Sequence, residues 1–251
     1  MTHYALILAG GEGSRLKNTK IPKQFLEINK VPMLMHSVQA FKDADPNIKI
    51  YIGLQKKYHK TWELLCVKHN FNINHTLYLA GQERLNTVFE GLQRIYSDNE
   101  TKNSIICIHD AARPFIHTQF IRDLLNSLKS TGIKAVIPIQ KIKNSIVRSS
   151  KSTYFSTNRN NYLSCQTPQC YKFEAIFKAY NSIMNTELLD RNIKRQQLHD
   201  DLAVFYSLFR DKKHIVKFID GLEQNIKITT NLDYFISEKY HQFLNKKDER
   251  F

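Results

Sequence analysis

No run of apolar residues in the chain approaches the roughly 18 needed for a helix to cross a bilayer, so a spanning helix is not expected. The one apolar stretch near the start, residues 4–9, is too short for a secretory leader and has no basic flank before it. A cytoplasmic location is expected on both grounds. Cysteine is scarce: Cys66, Cys107, Cys165 and Cys170 match neither a zinc framework nor a C-x-x-C pair, so reduced, structural thiols are expected. The ten histidines never fall at H-x-H or H-x-x-x-H spacing, which leaves no histidine-built metal centre in view. Acidic residues are few, 23 against 37 Lys and Arg, for a formal charge of +14. Such an excess suits nucleic acid, an anionic membrane or a phosphorylated small molecule. The basic residues are dispersed, however, with no block of like charge, no RNP-type strand and no basic helix. Neither nucleic acid nor a membrane is expected as partner, and much of the charge reads as a solvated lysine-rich surface.

What is present suits one α/β unit. The 251 residues, 42% hydrophobic, can build a sizeable core. Short apolar runs at 4–9, 48–54, 104–109 and 135–139 have the composition of strands buried on both faces. Stretches of helical spacing, such as 34–41 and 87–96, lie between them. Strands alternating with helices predict a doubly wound, mostly parallel, Rossmann-like sheet, whose ligands sit beyond the carboxyl ends of the strands. The residues just after Ala9 and Ile108 are then the places to look for chemistry. Between 140 and 163 the pattern weakens to polar residues with two short β-forming pieces, which predicts a hairpin arm projecting from a single domain of residues 1–251. A final strand over 225–230 and a helix carrying Leu232, Phe235, Ile236 and Tyr240 are expected to close the chain.

The first chemical motif is Leu8-Ala-Gly-Gly-Glu-Gly-Ser-Arg15, followed by Pro22-Lys-Gln-Phe25. Gly10, Gly11 and Gly13 let the backbone turn sharply and offer N–H groups to an anion with no Cβ in the way, while Arg15 and Lys23 add charge. That is the chemistry of a triphosphate cradle, although it is neither the G-x-x-x-x-G-K-[ST] loop nor G-x-G-x-x-G. An ordinary tight strand-to-helix turn is the alternative. Asp110, directly after a strand, is the carboxylate best placed for substrate hydroxyls or a metal's water shell, or else caps the following turn.

Residues 8–25 resemble the opening of the sugar-nucleotide pyrophosphorylase-like nucleotidyltransferases. The motifs Gly81-Gln-Glu-Arg-Leu-Asn-Thr87, His109-Asp-Ala-Ala-Arg-Pro114, Gln166-Thr-Pro-Gln169 and Asn225-Ile-Lys-Ile-Thr-Thr230 narrow the resemblance to cytidylyltransferases acting on methylerythritol 4-phosphate or ribitol 5-phosphate. The His109–Pro114 run and the stretch around Trp62, Leu65, Cys66, Phe71 and His75 look more like the methylerythritol phosphate enzymes, whereas Leu8-Ala-Gly-Gly with Gly13-Ser-Arg15 looks more like the ribitol phosphate enzymes. The first is weighed higher, because Asp110 and Arg113 fall in the substrate half of the site.

The resemblance implies transfer of CMP from CTP to 2-C-methyl-D-erythritol 4-phosphate with release of pyrophosphate; CDP-ribitol synthesis is the near alternative, and a nucleic-acid-binding module the alternative of a different class. It implies triphosphate and α-phosphate contacts at Arg15, Lys23 and Lys227, the last otherwise a strand-edge surface lysine. CTP would be bound by Ala9, Gly10, Gly11, Gly13, Gly81, Gln82 and Thr87, with cytosine read by backbone groups around Ala9 and Gly10 and near Gly81 and Gln82 and the Thr87 hydroxyl close to the base or ribose, although Thr87 could instead cap a helix. The polyol phosphate would meet Asp110, Arg113, Ser145, Arg159 and Thr167, with Arg159 donated by the arm of the second subunit of a homodimer. Mg²⁺ would arrive with the triphosphate and be held mainly by phosphates and water, with Asp110 nearby. Two positions depart from the family pattern: Asn144-Ser145 replaces an Asp-Thr pair, and His199-Asp200-Asp201 replaces a motif beginning Thr-Asp.

Overall fold

A computed structural model describes residues 1–11, 21–98, 101–150, 152–184, 198–210 and 214–248. At its centre the strands β1 (His3–Leu8), β4 (Lys49–Leu54), β5 (Thr76–Leu79), β6 (Ile105–Asp110), β7 (Ala135–Lys141), β10 (Leu163–Cys165) and β11 (Gln169–Lys172) lie in the order β10-β7-β11-β6-β1-β4-β5. The pairs β1–β4, β1–β6 and β4–β5 are parallel, while β11 runs antiparallel between β6 and β7. Alternation along each strand feeds two cores, because successive side chains leave opposite faces of a sheet. Ala5 and Ile7 of β1 join Ile50, Ile52 and Cys107 on one face, whereas Tyr4 and Leu6 join Tyr51, Ile106 and Ile108 on the other. Both faces are covered by helices, which is why the strands read as continuous apolar runs. Helices α1 (Met33–Ala44), α2 (His59–Lys68) and α4 (Thr118–Ser127) supply Leu34, Phe41, Trp62, Ile121 and Leu124 to the first face. Helices α3 (Arg84–Asp98), α5 (Phe173–Met184) and α6 (Asp201–Phe209) supply Val88, Leu92, Tyr180 and Phe205 to the second.

The arm is a separate two-stranded hairpin, β8 (Ile146–Ser150) with β9 (Thr153–Thr157). Its Val147, Tyr154 and Phe155 are exposed. A small hairpin, β2 (Glu27–Ile28) and β3 (Val31–Pro32), leads into α1.

The expected strand over 225–230 does not form. Its alternating Ile226 and Ile228 are satisfied by a side cluster with Ile28, Met33 and Phe115 rather than by a sheet face. Its backbone instead makes isolated bonds, Ile228 N–H to the Ala112 carbonyl (2.8 Å) and Ile226 N–H to the Gln224 carbonyl (2.7 Å). The strand in this part of the chain is β12 (Val216–Asp220), parallel to β7. Its side chains are only half buried or exposed, so its pattern is faint. The closing helix α7 (Asn231–Asp248) follows. Thr230 and Asp233 open it reciprocally: the Asp233 carboxylate accepts the Thr229 and Thr230 N–H groups at 2.8 Å, and the Asp233 N–H donates to Thr230 Oγ1 at 3.2 Å. That cap fixes where the preceding segment, with Lys227, must lie.

Candidate active site

Beyond the carboxyl ends of β1, β5 and β6 a cavity is walled by Ala9, Gly10, Gly11, Lys23, Gly81, Gln82, Arg84, Thr87, Asp110 and Lys227. One wall is backbone. The β1 ladder runs one residue past its strand, Ala9 N–H donating to the Gly53 carbonyl at 3.0 Å, and Ala80 N–H does the same to Leu54 at 2.9 Å. This brings the glycine turn against the 80–87 segment so closely that a Cβ on Gly10 would lie 2.5 Å from the Ala80 Cβ; within that segment a Cβ on Gly81 would lie 2.4 Å from the Asn86 Cβ. Gly10, Gly11 and Gly81 all line the cavity, so a ligand there can meet their main chain without an intervening Cβ. Thr87 does not cap α3, which begins three residues earlier at Arg84. Its hydroxyl donates to the Glu83 carbonyl at 3.0 Å, because a threonine inside the first turn can bond back along the helix, and it lies 3.4 Å from the Gly81 carbonyl. The Gln55 amide adds longer contacts to the Gly10 and Gly81 carbonyls, 3.4 and 3.5 Å, tying the two loops together.

Charged side chains also line the cavity. Asp110 ends β6, and its carboxylate does not cap the next turn, which is closed by main chain alone, Arg113 N–H to the Asp110 carbonyl at 3.0 Å. Its Oδ2 instead meets Lys227 Nζ at 2.6 Å, and its Oδ1 accepts from Arg84 Nε at 3.3 Å. Lys227 is thus part of the cavity and not a strand-edge lysine. Burial would raise the Asp110 carboxyl, but Arg84 and Lys227 outweigh it and hold it well below the usual carboxylate range. Arg84 was not singled out by its motif, nor was Asp201, on which the Arg84 guanidinium closes end-on at 2.9 and 2.7 Å. Asp200 is the N-cap of α6, accepting the Ala203 N–H at 2.9 Å, so the altered His199-Asp200-Asp201 motif keeps a cap and an ion-pair partner.

Other expected residues are not in the cavity wall. The Thr167 hydroxyl lies underneath, accepting the Asp110 N–H at 3.1 Å. Arg113 turns to the Asn225 carbonyl at 2.7 Å, and its ionisation is lowered by burial, with Asp110 opposing. Ser145 and Arg159 are exposed on the arm side, where an Arg159 guanidinium N–H meets the Lys143 carbonyl. Gly13 and Arg15 lie outside the described residues.

Beneath the site His109 is fully buried, with Nε2 3.2 Å from the Arg113 carbonyl and Nδ1 3.3 Å from Thr167 Oγ1. Burial pushes its pKa down to about 4 from the ordinary 6.5. The unfolded chain therefore binds this proton first as pH falls, so stability present above 6.5 is lost progressively towards 4. His75, lowered mainly by burial, acts with the same sign. Thermal melts across this window should show a falling midpoint, with a shallower slope in His109→Gln; a flat profile in the parent protein would contradict the assignment.

The family described as 2-C-methyl-D-erythritol 4-phosphate cytidylyltransferase matches residues 3–242. Among similar proteins, the 2-C-methyl-D-erythritol 4-phosphate cytidylyltransferase of Azobacteroides pseudotrichonymphae is 32% identical over 94% of this chain and 96% of its own. The enzyme of the same name from Bacteroides fragilis is 30% identical over 93% and 96%. Among solved structures, the 4-diphosphocytidyl-2C-methyl-D-erythritol synthase of Anaerococcus prevotii superposes with a TM-score of 0.76 at 25% identity, covering 96% of this chain and 98% of that one. The family match runs from β1 well into α7, the solved structure covers nearly the whole chain, and the chain belongs to the 2-C-methyl-D-erythritol 4-phosphate cytidylyltransferase family.

Proposed function

We propose that the cavity binds CTP, and that the phosphate of 2-C-methyl-D-erythritol 4-phosphate attacks its α-phosphorus, as in non-mevalonate isoprenoid precursor synthesis. One acceptor oxygen forms a bond to the α-phosphorus while the bond to the β-phosphate oxygen breaks, and pyrophosphate leaves with that electron pair. The acceptor phosphate is already ionised, so no general base is required. Repulsion between the two anions is the main obstacle, and cations placed where charge grows oppose it. The observation that carries this assignment is the convergence of Lys23 and Lys227 on a cavity that close-packed glycine backbone also lines. In this proposal cytosine lies between the Gly10 and Gly81 main chains, and the phosphates extend towards Lys23 and Lys227. A role for Arg15 in binding the triphosphate is proposed from the family resemblance alone.

Mg²⁺ fits the site as a metal carried in by the triphosphate. Asp110, the carboxylate nearest Lys227, is already ion-paired, and among the described residues no three His, Cys, Asp or Glu side chains gather as a metal cage. When bound, the ion would neutralise part of the phosphate charge, with Asp110 near its water shell. No helix among the described residues is long and apolar enough to cross a membrane. The enzyme is proposed to work on its water-soluble substrates in the cytoplasm.

Pyrophosphate release with CTP and each acceptor in turn tests the assignment. Release with 2-C-methyl-D-erythritol 4-phosphate well above that with ribitol 5-phosphate is expected. Release with neither, under any divalent cation, would reject a cytidylyltransferase; the ribitol acceptor is not favoured by the family match.

The arm is proposed to reach a second subunit, because Arg159 is exposed in its own chain while the family pattern calls for an arginine at the acceptor phosphate. Arg159→Ala should abolish most turnover and leave the melting midpoint in place. Mixing it with Lys23→Ala should restore about a quarter of the parent rate if subunits exchange randomly into dimers, a statistical expectation for sites shared across a twofold axis. No recovery after proven exchange would show that each subunit completes its own site.

A further inference from the structure

The side chain of Arg84 has a geometry that core stability does not require. Its fork closes on Asp201, whose carboxylate is fully buried, while the Arg84 side chain keeps about 29% of its surface exposed to the cavity. Asp201 is held from a second side by the buried Tyr180 hydroxyl, 2.6 Å from Oδ1. The N-terminus of α6 that carries it is pinned to β11: Gln169 donates to Asp200 at 3.2 Å and accepts the Leu202 N–H at 3.1 Å. Three elements, α5, α6 and β11, therefore fix a guanidinium that belongs to a fourth, α3. Buried ion pairs of this kind add little net stability over an apolar replacement, since desolvation offsets most of the attraction. What the arrangement does provide is a fixed direction for the third N–H, which reaches Asp110 Oδ1 at 3.3 Å. On the other oxygen of the same carboxylate sits Lys227, carried by a segment with no strand pairing.

We propose that Arg84, clamped by Asp201, is a positioning residue for the reaction: it holds the Asp110 carboxylate in place and keeps it charge-balanced when Lys227 turns from Asp110 to the phosphates. The four groups, Arg84, Asp201, Asp110 and Lys227, are neutral together. When Lys227 moves to the α-phosphate, Asp110 would face an incoming polyanion as an unpaired negative charge, were Arg84 not already bonded to it. Arg84 thereby lets Lys227 be stored against a carboxylate without leaving a repulsive group behind. The inference rests on the proposed transfer reaction, since the event it serves is the arrival of charge at Lys227.

Two replacements at this pair test it. Arg84→Lys keeps a charge but cannot close a fork on Asp201 and reach Asp110 together. Asp201→Asn keeps the shape and frees the fork. Both should lower kcat roughly ten- to a hundredfold, the effect of misplacing a group by a fraction of an ångström to one ångström, with KM for CTP changed less than about threefold. The pH profile gives a reading that a purely structural role would not move. Asp110 is faced by Arg84 from α3, by Lys227 from the segment before α7, by Arg113 from the turn after β6 and by neutral His109 beneath. Weakening the Arg84 contact removes one of its cations, so the acid limb of kcat/KM should move to higher pH. In a double variant with Lys227→Ala, the two losses should combine to much less than their product, because both act through Asp110. If either variant aggregates, Tyr180→Phe, which deletes only the hydroxyl on Asp201, should show a smaller change in the same direction. Folded variants with parent-like kcat, an unmoved acid limb and multiplicative losses would overturn the role of Arg84 while leaving the transfer reaction intact. A parent protein that releases no pyrophosphate from CTP would overturn both.

Discussion

Lys23→Ala is expected to lower kcat about 10²–10³-fold, roughly 3–4 kcal/mol of transition-state stabilisation, with a much smaller change in KM for CTP. The size follows from where the charge sits. Lys23 opens a short 3-10 turn, Lys23–Phe25, closed by Phe25 N–H to the Pro22 carbonyl at 2.9 Å and Leu26 N–H to the Lys23 carbonyl at 3.1 Å. Phe25, two residues on, is buried and stacks on Trp62 with ring centroids 6.2 Å apart and planes 14° apart, with Tyr58 edge-on at 5.9 Å. The backbone of Lys23 is thus fixed by the core below, and an ammonium held this way loses little freedom when charge develops in front of it. Removing an amine at a partly exposed position should leave the melting midpoint nearly unchanged. Steady-state kinetics at saturating CTP and acceptor read the effect; a loss below threefold in a folded protein would remove Lys23 from the machinery.

Lys227→Ala is expected to show the second large loss, about 10²-fold in kcat, for a related reason with one difference. Lys227 comes from a segment whose main chain is bonded only intermittently, placed by the α7 cap on one side and by Asn225 on the other, where the Asn225 amide donates to the Thr167 carbonyl at 2.8 Å. Its ammonium waits on Asp110. Alanine leaves that carboxylate with Arg84 as remaining close partner, so the acid limb of kcat/KM should also rise in pH as Asp110 gives up one of the three cations, Arg84, Lys227 and Arg113, that keep it ionised. Lys227→Arg should recover part of the rate, since the charge returns at a different length. Unchanged turnover in the alanine variant would show that the short contact to Asp110 is only a surface ion pair.

Much of this arrangement was visible in the sequence. Strands β1, β4, β6 and β7 were legible because burial on both faces leaves unbroken apolar runs. The glycine turn, Lys23, Gly81, Asp110 and Lys227 were found by motif, and they do converge on one cavity. The segment 225–230 misled because alternation reports which side chains are buried and not whether the main chain has a partner strand. Strand β12 stayed hidden for the converse reason: it has partners but half-exposed side chains. Arg84 and Asp201 are 117 residues apart, beyond the range of any local pattern. A signal was nonetheless present in helical phase. Asp201 shares a face with Val204 and Phe205, and Arg84 with Val88 and Leu92, so each is a charge on an apolar stripe and calls for a buried partner of the opposite sign.

The most direct measurement is a crystal soaked with CTP and Mg²⁺. Density for the triphosphate against Lys23 and Lys227, with cytosine lodged between the main chains of Gly10 and Gly81, is the predicted result. CTP bound anywhere else on the molecule, with these two lysines left facing solvent, would contradict the account.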